Sequence, residues 1–406
     1  MKRFTAFLLL VSLLVFSLAG CGEKKPSEAP TVTPSEEATP ELTATPTPTP
    51  TEAPVVNPLD SMTLKDRYKD VFKVGVALPN SVISNASQME VVKEQFNSMT
   101  FENEMKPEAL LDREATQKGY PDTKTEPILK FGGIERGLRF AEENGLGVRG
   151  HTLCWYSQTP AWFFTVDYQP NSALCSKEVM IARLESYIKQ VMTYCQTNHP
   201  GLIYAWDVVN EAVDPGTGDA NGIRKGKNLW YETIGPEFIQ YAFRFARKYS
   251  DGTADLYYND YGCANKRTII VKVLAPILAE GNIDGIGMQS HLSTGDNIQN
   301  TIYKTAKYFA SEGYKVQITE LDIGVKTLNE DTELIQAMKY KLLFQFMEQA
   351  KLNGEIDIDS VTVWGLYDTI SWRSKEHPLM YQTFKLNRKM AWYGAMQDPE
   401  IKAFEW

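Results

Sequence analysis

From residue 74 onward, short apolar runs alternate with longer stretches of helical spacing. The runs are Val74–Leu78, Ser98–Thr100, Gly147–Leu153, Ile203–Val209, Asp255–Asn259, Gly285–Gln289, Val316–Glu320 and Val361–Gly365. Their apolar, β-branched and aromatic bias is that of strands buried on both faces. Between them, Phe238, Tyr241, Ala242 and Phe245 repeat with helical spacing, and Glu237, Gln240, Arg244 and Arg247 take the other positions. That pattern predicts an amphipathic helix opened by Pro236. Similar helices are predicted over Val179–Cys195 and Leu334–Leu352. Strands alternating with helices, eight times over, predict a parallel sheet closed into a single (β/α)8 TIM barrel.

The ends of these runs are unexpectedly polar. Ile203–Val209 stops at Asn210–Glu211, and nothing structural requires an amide and a carboxylate there. Glu102, Asn103, Glu104 and Lys106 follow the second run; His151, Trp155 and Gln158 belong to the third. Asn259–Asp260, Gln289 with His291, Glu320 with Asp322, and Trp364 belong to the fifth to eighth. Any one of them is readily explained as a satisfied core or loop residue. A barrel gathers such strand ends into one cleft, the face on which barrel enzymes keep their chemistry.

Composition narrows the chemistry. The chain has 406 residues, 43% hydrophobic and 23% charged, with a formal net charge of −9. No basic block occurs, so nucleic acid is not expected as a partner, and an acidic surface favours neutral substrates over polyanions. There is no HExxH, no GxSxG and no Gly-rich phosphate loop, and the only histidines are His151, His199, His291 and His377. Neither a metal nor a cofactor is expected. The remaining chemistry is a pair of carboxylates, Glu211 and Glu320, as glycoside hydrolysis uses. Strand parity would set Glu320 beside Asp322 and Gln289 beside His291, if both strands stay regular. His291 could then hold Glu320 ionised while Asp322 fixes its tautomer. Trp155, Trp364 and Trp372 offer flat apolar faces for sugar rings.

The N-terminus has a different character. Lys2 and Arg3 precede an apolar run from Phe4 to Leu18 and then Leu18–Ala19–Gly20–Cys21, the layout of a signal peptide over residues 1–20. It resembles the lipobox of bacterial lipoproteins, which implies lipidation of Cys21 and an extracytoplasmic, membrane-anchored protein at the bacterial cell surface. Residues 22–58 hold nine prolines and eight threonines. Such a segment stays extended or disordered, so 21–58 is expected to be a linker reaching up to roughly 100 Å. The barrel then occupies 59–406, and the protein is expected to be a monomer. Cys154, Cys175, Cys195 and Cys263 allow three pairings, none selected by the sequence.

Six stretches occur in a telling order: Phe101–Glu102–Asn103–Glu104–Met105–Lys106, Arg149–Gly150–His151–Thr152–Leu153, Trp206–Asp207–Val208–Val209–Asn210–Glu211–Ala212, Gly285–Ile286–Gly287–Met288–Gln289–Ser290–His291, Ile318–Thr319–Glu320–Leu321–Asp322 and Val363–Trp364–Gly365. Together they resemble glycoside hydrolase family 10, the barrel endo-β-1,4-xylanases, over roughly residues 65–400. The resemblance implies retaining hydrolysis of xylan and xylo-oligosaccharides, with Glu211 as acid/base and Glu320 as nucleophile. It implies that Asn210 contacts a sugar hydroxyl, that His291 and Asp322 support Glu320, and that Gln289 lies beside the pair. Glu102, Asn103, Lys106, His151, Trp155, Gln158, Asn259, Trp364 and Trp372 would line the cleft. Before the first step Glu211 must carry a proton and Glu320 must not.

Pro107, Tyr156 and Gly262 depart from the family's usual Trp, His and Asn. Two other readings share the same features. A barrel glycosidase acting on β-glucan would show the same two glutamates. A glycan-binding lipoprotein feeding a transporter would share the leader and linker but has no need of two opposed carboxylates.

Overall fold

The computed structural model describes residues 57–402. The expected signal peptide, Cys21 and the linker up to residue 56 lie outside the described residues. Nine strands are present within them: β1 (Lys73–Leu78), β2 (Ser98–Phe101), β3 (Gly147–Trp155), β4 (Ile203–Asn210), β5 (Asp255–Asp260), β6 (Gly285–Met288), β7 (His291–Ser293), β8 (Lys315–Gly324) and β9 (Ile358–Val363). All pairings between them are parallel. The order β6-β5-β4-β3-β2-β1-β9-β8 is closed by a β6–β8 pairing, which makes an eight-stave barrel with intervening helices.

The ninth strand corrects one expectation. The sixth run does not continue through Gln289 as a regular strand. It stops at Met288, Ser290 takes a left-handed φ of 65°, and the chain resumes as β7 against β8. Simple parity therefore does not relate Gln289 to His291. The pairings His291↔Asp322 and Leu292↔Ile323 also explain why β8 runs four residues beyond Glu320.

Sequence and local packing agree elsewhere. Gly150 stands opposite Trp206, and a Cβ there would meet the indole at 2.1 Å. Only glycine lets that ring lie flat between β3 and β4. The helix Lys177–Asn198 is capped by the Ser176 hydroxyl and buries Met180, Leu184, Tyr187, Ile188, Val191, Met192 and Cys195, a stripe of helical period. In the helix Phe238–Tyr249 the expected Phe238 and Ala242 are buried, together with Ile239, Phe243 and Ala246, while Tyr241 and Phe245 are only partly buried and stack on each other. The last long helix, Glu330–Leu352, starts four residues earlier than Leu334 because Asn329 and Thr332 form a reciprocal capping box. Asn57 caps Pro58–Ser61 and donates to Asp398, so the globular packing already includes residues assigned to the linker.

The barrel interior is unusually polar. Arg149 is fully buried, with Nη2 2.5 Å from Asp207 Oδ1 and Nε 2.6 Å from Gln317 Oε1. Gln317 in turn donates to Asp359. Burial works against the Arg149 charge, but Asp207 more than compensates and raises its pKa. The four cysteines among the described residues are free and buried.

Candidate active site

The C-terminal ends of the strands open into a cleft of about 540 Å³. Glu102, Asn103, Lys106, His151, Trp155, Gln158, Asn210, Glu211, Gln289, His291, Glu320, Trp364 and Trp372 line it, together with Tyr261 and Gly262. Thirteen of the fifteen site residues implied by the resemblance thus reach one cavity. Asp322 and Asn259, both fully buried, do not.

Asn259 is the correction among the expected substrate contacts. It faces protein instead: Nδ2 donates to Glu320 Oε1 (2.7 Å) and to Asn210 Oδ1 (3.0 Å). Thr319 Oγ1 donates to its carbonyl at 2.6 Å and so fixes which way the amide points. Gln289 Nε2 donates to Glu211 Oε1 (2.9 Å) and, more weakly, to Asn210 Oδ1 (3.3 Å). A continuous amide chain therefore joins the two glutamates through Asn259, Asn210 and Gln289. The break in the sixth stave is what aims Gln289 into this chain.

Glu320 sits deep, at 4% exposure, and its second oxygen lies 3.1 Å from His291 Nε2. His291 Nδ1 faces Asp322 Oδ2 at 2.9 Å, and Asp322 also receives Trp372 Nε1 (2.9 Å) and Arg373 Nη1. Burial alone would push the Glu320 carboxyl up. The His291 hydrogen bond and the electrostatic pull of His151, His291 and Lys106 outweigh it and hold the pKa down at about 2. For His291, burial is likewise overcome, here by Asp322 and Glu320, and its pKa rises to about 10. The imidazole is thus protonated and donates from both nitrogens. Glu320 contributes stability that is full above pH 4.5 and is lost as pH falls toward about 2; that of His291 is full below pH 6.5 and is lost as pH rises toward about 10. In His291→Asn, burial of Glu320 is less opposed. The acid limb of the kcat/KM profile is expected to move up by about 1–3 pH units, and an unmoved limb would refute this role.

Glu211 follows β4 with a left-handed φ of 57°, which costs a residue with a side chain about 1–3 kcal/mol. Its N–H still continues the ladder to Asn259 O at 2.9 Å, so the turn occurs at the glutamate itself. Beyond the ends of β2 and β3, Lys106 Nζ donates to Gln158 Oε1 (2.9 Å) and Asn103 Oδ1 (3.1 Å) and stands 4.9 Å from the Trp155 ring centre. Burial lowers the Lys106 pKa, while Glu320, Glu102 and Glu211 resist that shift. Burial also raises Glu102. His151 Nδ1 pairs with Asp207 at 2.9 Å, and the Trp364 indole meets the His151 ring edge-on. Trp372 is 60% exposed at the rim. Among the described residues, no group of three or more His, Cys, Asp or Glu could hold a metal ion.

The three unusual residues have local explanations. Pro107 opens the short helix Pro107–Leu110. Gly262 has φ 55°, a conformation that glycine and asparagine both tolerate, which accounts for either residue there. Tyr156 packs on the Arg224 guanidinium, 4.2 Å from its ring centre. Sequence reasoning overlooked Tyr261, Asp207 and Arg149. The last two carried a signal, since charged residues inside apolar strands need partners and each is the other's.

The model of glycosyl hydrolase family 10 matches residues 63–398. The chain belongs to that family. It is 41% identical over 345 residues to endo-1,4-beta-xylanase B of Butyrivibrio fibrisolvens, covering 83% of this chain and 53% of that protein. Against endo-1,4-beta-xylanase A of Thermotoga maritima it is 40% identical over 351 residues, covering 83% and 31%. The chain therefore spans about half, or less, of these family 10 relatives. Among solved structures it resembles the CBM22-1–GH10 modules of Clostridium thermocellum endo-1,4-beta-D-xylanase 10B in complex with xylohexaose (TM-score 0.76, 37% identity, 83% of this chain and 67% of that one). It also resembles an intracellular xylanase from Thermoanaerobacterium saccharolyticum (TM-score 0.71, 32% identity, 82% and 97%).

Proposed function

We propose that this family 10 protein is an endo-1,4-β-xylanase that cleaves internal β-1,4 bonds of xylan with net retention of anomeric configuration. The observation that carries the proposal is a buried, ionised Glu320 tied through one amide chain to Glu211 in a single cleft. The xylanase relatives supply the substrate class. In the first step a Glu320 oxygen bonds to the anomeric carbon while the bond to the leaving oxygen breaks and Glu211 gives that oxygen its proton. In the second, Glu211 takes a proton from water, the water oxygen bonds to the same carbon, and Glu320 is released. Asn210, with its carbonyl held by Asn259, is placed to meet the sugar hydroxyl nearest the reacting centre. Trp155 and Trp364 provide apolar walls.

Incubation with xylan and with carboxymethylcellulose tests the substrate, and proton NMR of the first products tests the stereochemistry. Reducing ends from xylan, with the β-anomer appearing first, are expected. Preference for carboxymethylcellulose would reassign the protein to β-glucan. First release of the α-anomer would refute retention, and binding of xylan without cleavage would make the protein a glycan receptor.

A further inference from the structure

Glu211 sits in a left-handed backbone conformation, and its carbonyl oxygen points away from the strand ladder toward Arg224, whose Nε donates to it at 2.9 Å. Each of the other two nitrogens of that guanidinium also has a protein partner. Nη2 donates to Tyr261 OH (2.9 Å), Nη1 pairs with Asp214 Oδ2 (3.0 Å), and the flat face rests on Tyr156. Arg224 is itself anchored by its N–H on Ala212 O (2.7 Å) and by Asn228 Nδ2 on its carbonyl (2.9 Å), and it is 7% exposed. It does not line the cleft, whereas Tyr261 does. Tyr261 is braced from behind as well, by Lys266 Nζ 3.9 Å from its ring centre, a cation held by Asp260 and the Val213 carbonyl.

We propose that Arg224 is a positioning residue for Glu211: it holds the glutamate in its left-handed turn and couples it to the cleft-wall Tyr261. The proposal rests on the acid/base role given to Glu211 above and extends it to a group that never touches sugar. Lysine keeps the charge but offers no planar fork, so it cannot span Glu211, Asp214 and Tyr261 together.

A role confined to stapling the loop would weaken every substrate alike. A positioning role acts only on steps that Glu211 performs, and displacement by about 1 Å is enough to cost on the order of 10²-fold. The test compares wild type, Arg224→Met and Arg224→Lys on xylotetraose and on a 2,4-dinitrophenyl β-xylobioside, with and without azide. Both variants are expected to lose about 10²-fold in kcat/KM on xylotetraose. On the aryl substrate, whose leaving group needs no proton, kcat/KM should hold while kcat and KM fall together. Azide should then restore kcat by bonding to the anomeric carbon as Glu320 leaves, giving the β-glycosyl azide. Equal losses on both substrates with no azide response, or unchanged turnover of xylotetraose, would overturn the proposal. If Arg224→Met does not fold, the same readouts on folded Arg224→Lys decide. Wild type inactive on both substrates would instead refute the xylanase reading itself.

Discussion

Glu320→Ala is expected to remove turnover of every glycoside, activated or not, by on the order of 10⁵–10⁶-fold, the scale on which loss of a nucleophile acts. No leaving group, however good, bypasses this step, because the group that forms the bond to the anomeric carbon is absent. The fold should survive. His291 keeps Asp322 as a partner, and Asn259 keeps Asn210 and Thr319. Steady-state rates on xylan and on a dinitrophenyl xylobioside, with a thermal melt as control, check this. Aryl turnover within tenfold of wild type in a folded variant would remove Glu320 from the role. Glu320→Gln separates charge from shape: it keeps the outline of the side chain and one acceptor for Asn259 or His291, sets its own N–H against the other donor, and cannot attack.

The second large effect distinguishes the partner. Glu211→Ala is expected to lower kcat/KM on xylan by about 10²–10⁴-fold, the usual worth of a positioned general acid. The first step on a dinitrophenyl glycoside needs no proton and should be spared. Its glycosyl-enzyme should then accumulate, because nothing activates water, so kcat falls with KM and a burst of dinitrophenolate appears. Equal loss on both substrate types, without a burst, would reject Glu211 as acid/base and return it to a merely polar strand end.

The eight staves were legible because each is a short apolar run closed by polar residues, and burial on both faces leaves little else for such runs to do. The cleft was legible for the same reason: Glu102, His151, Glu211 and Glu320 sit where an apolar strand gives way without a structural need. Less accessible were features set by backbone irregularity. Nothing in Met288–Gln289–Ser290–His291 announces that Ser290 turns left-handed, yet that turn sends Gln289 toward Glu211 while His291 meets Glu320. Asn259 was placed correctly at a strand end but on the wrong side of the wall. Whether an amide faces sugar or supports a carboxylate depends on the neighbouring Thr319 hydroxyl, contributed from 60 residues away. Arg224 was invisible because its importance lies in the Glu211 main-chain carbonyl, which has no sequence signature. In the helix Phe238–Tyr249 the buried stripe includes Phe238 and Ala242 but is centred nearer Ile239 and Phe243, because Tyr241 and Phe245 stack on each other and stay partly buried against the core.

The most direct measurement is to trap the covalent intermediate. A 2-deoxy-2-fluoro xylobioside carrying a good leaving group is incubated with the wild-type protein, which is then digested and sequenced by mass spectrometry. One sugar adduct per chain, located on Glu320, is the expected result. An adduct on Glu211 or any other side chain, or active enzyme that never acquires one, would contradict it.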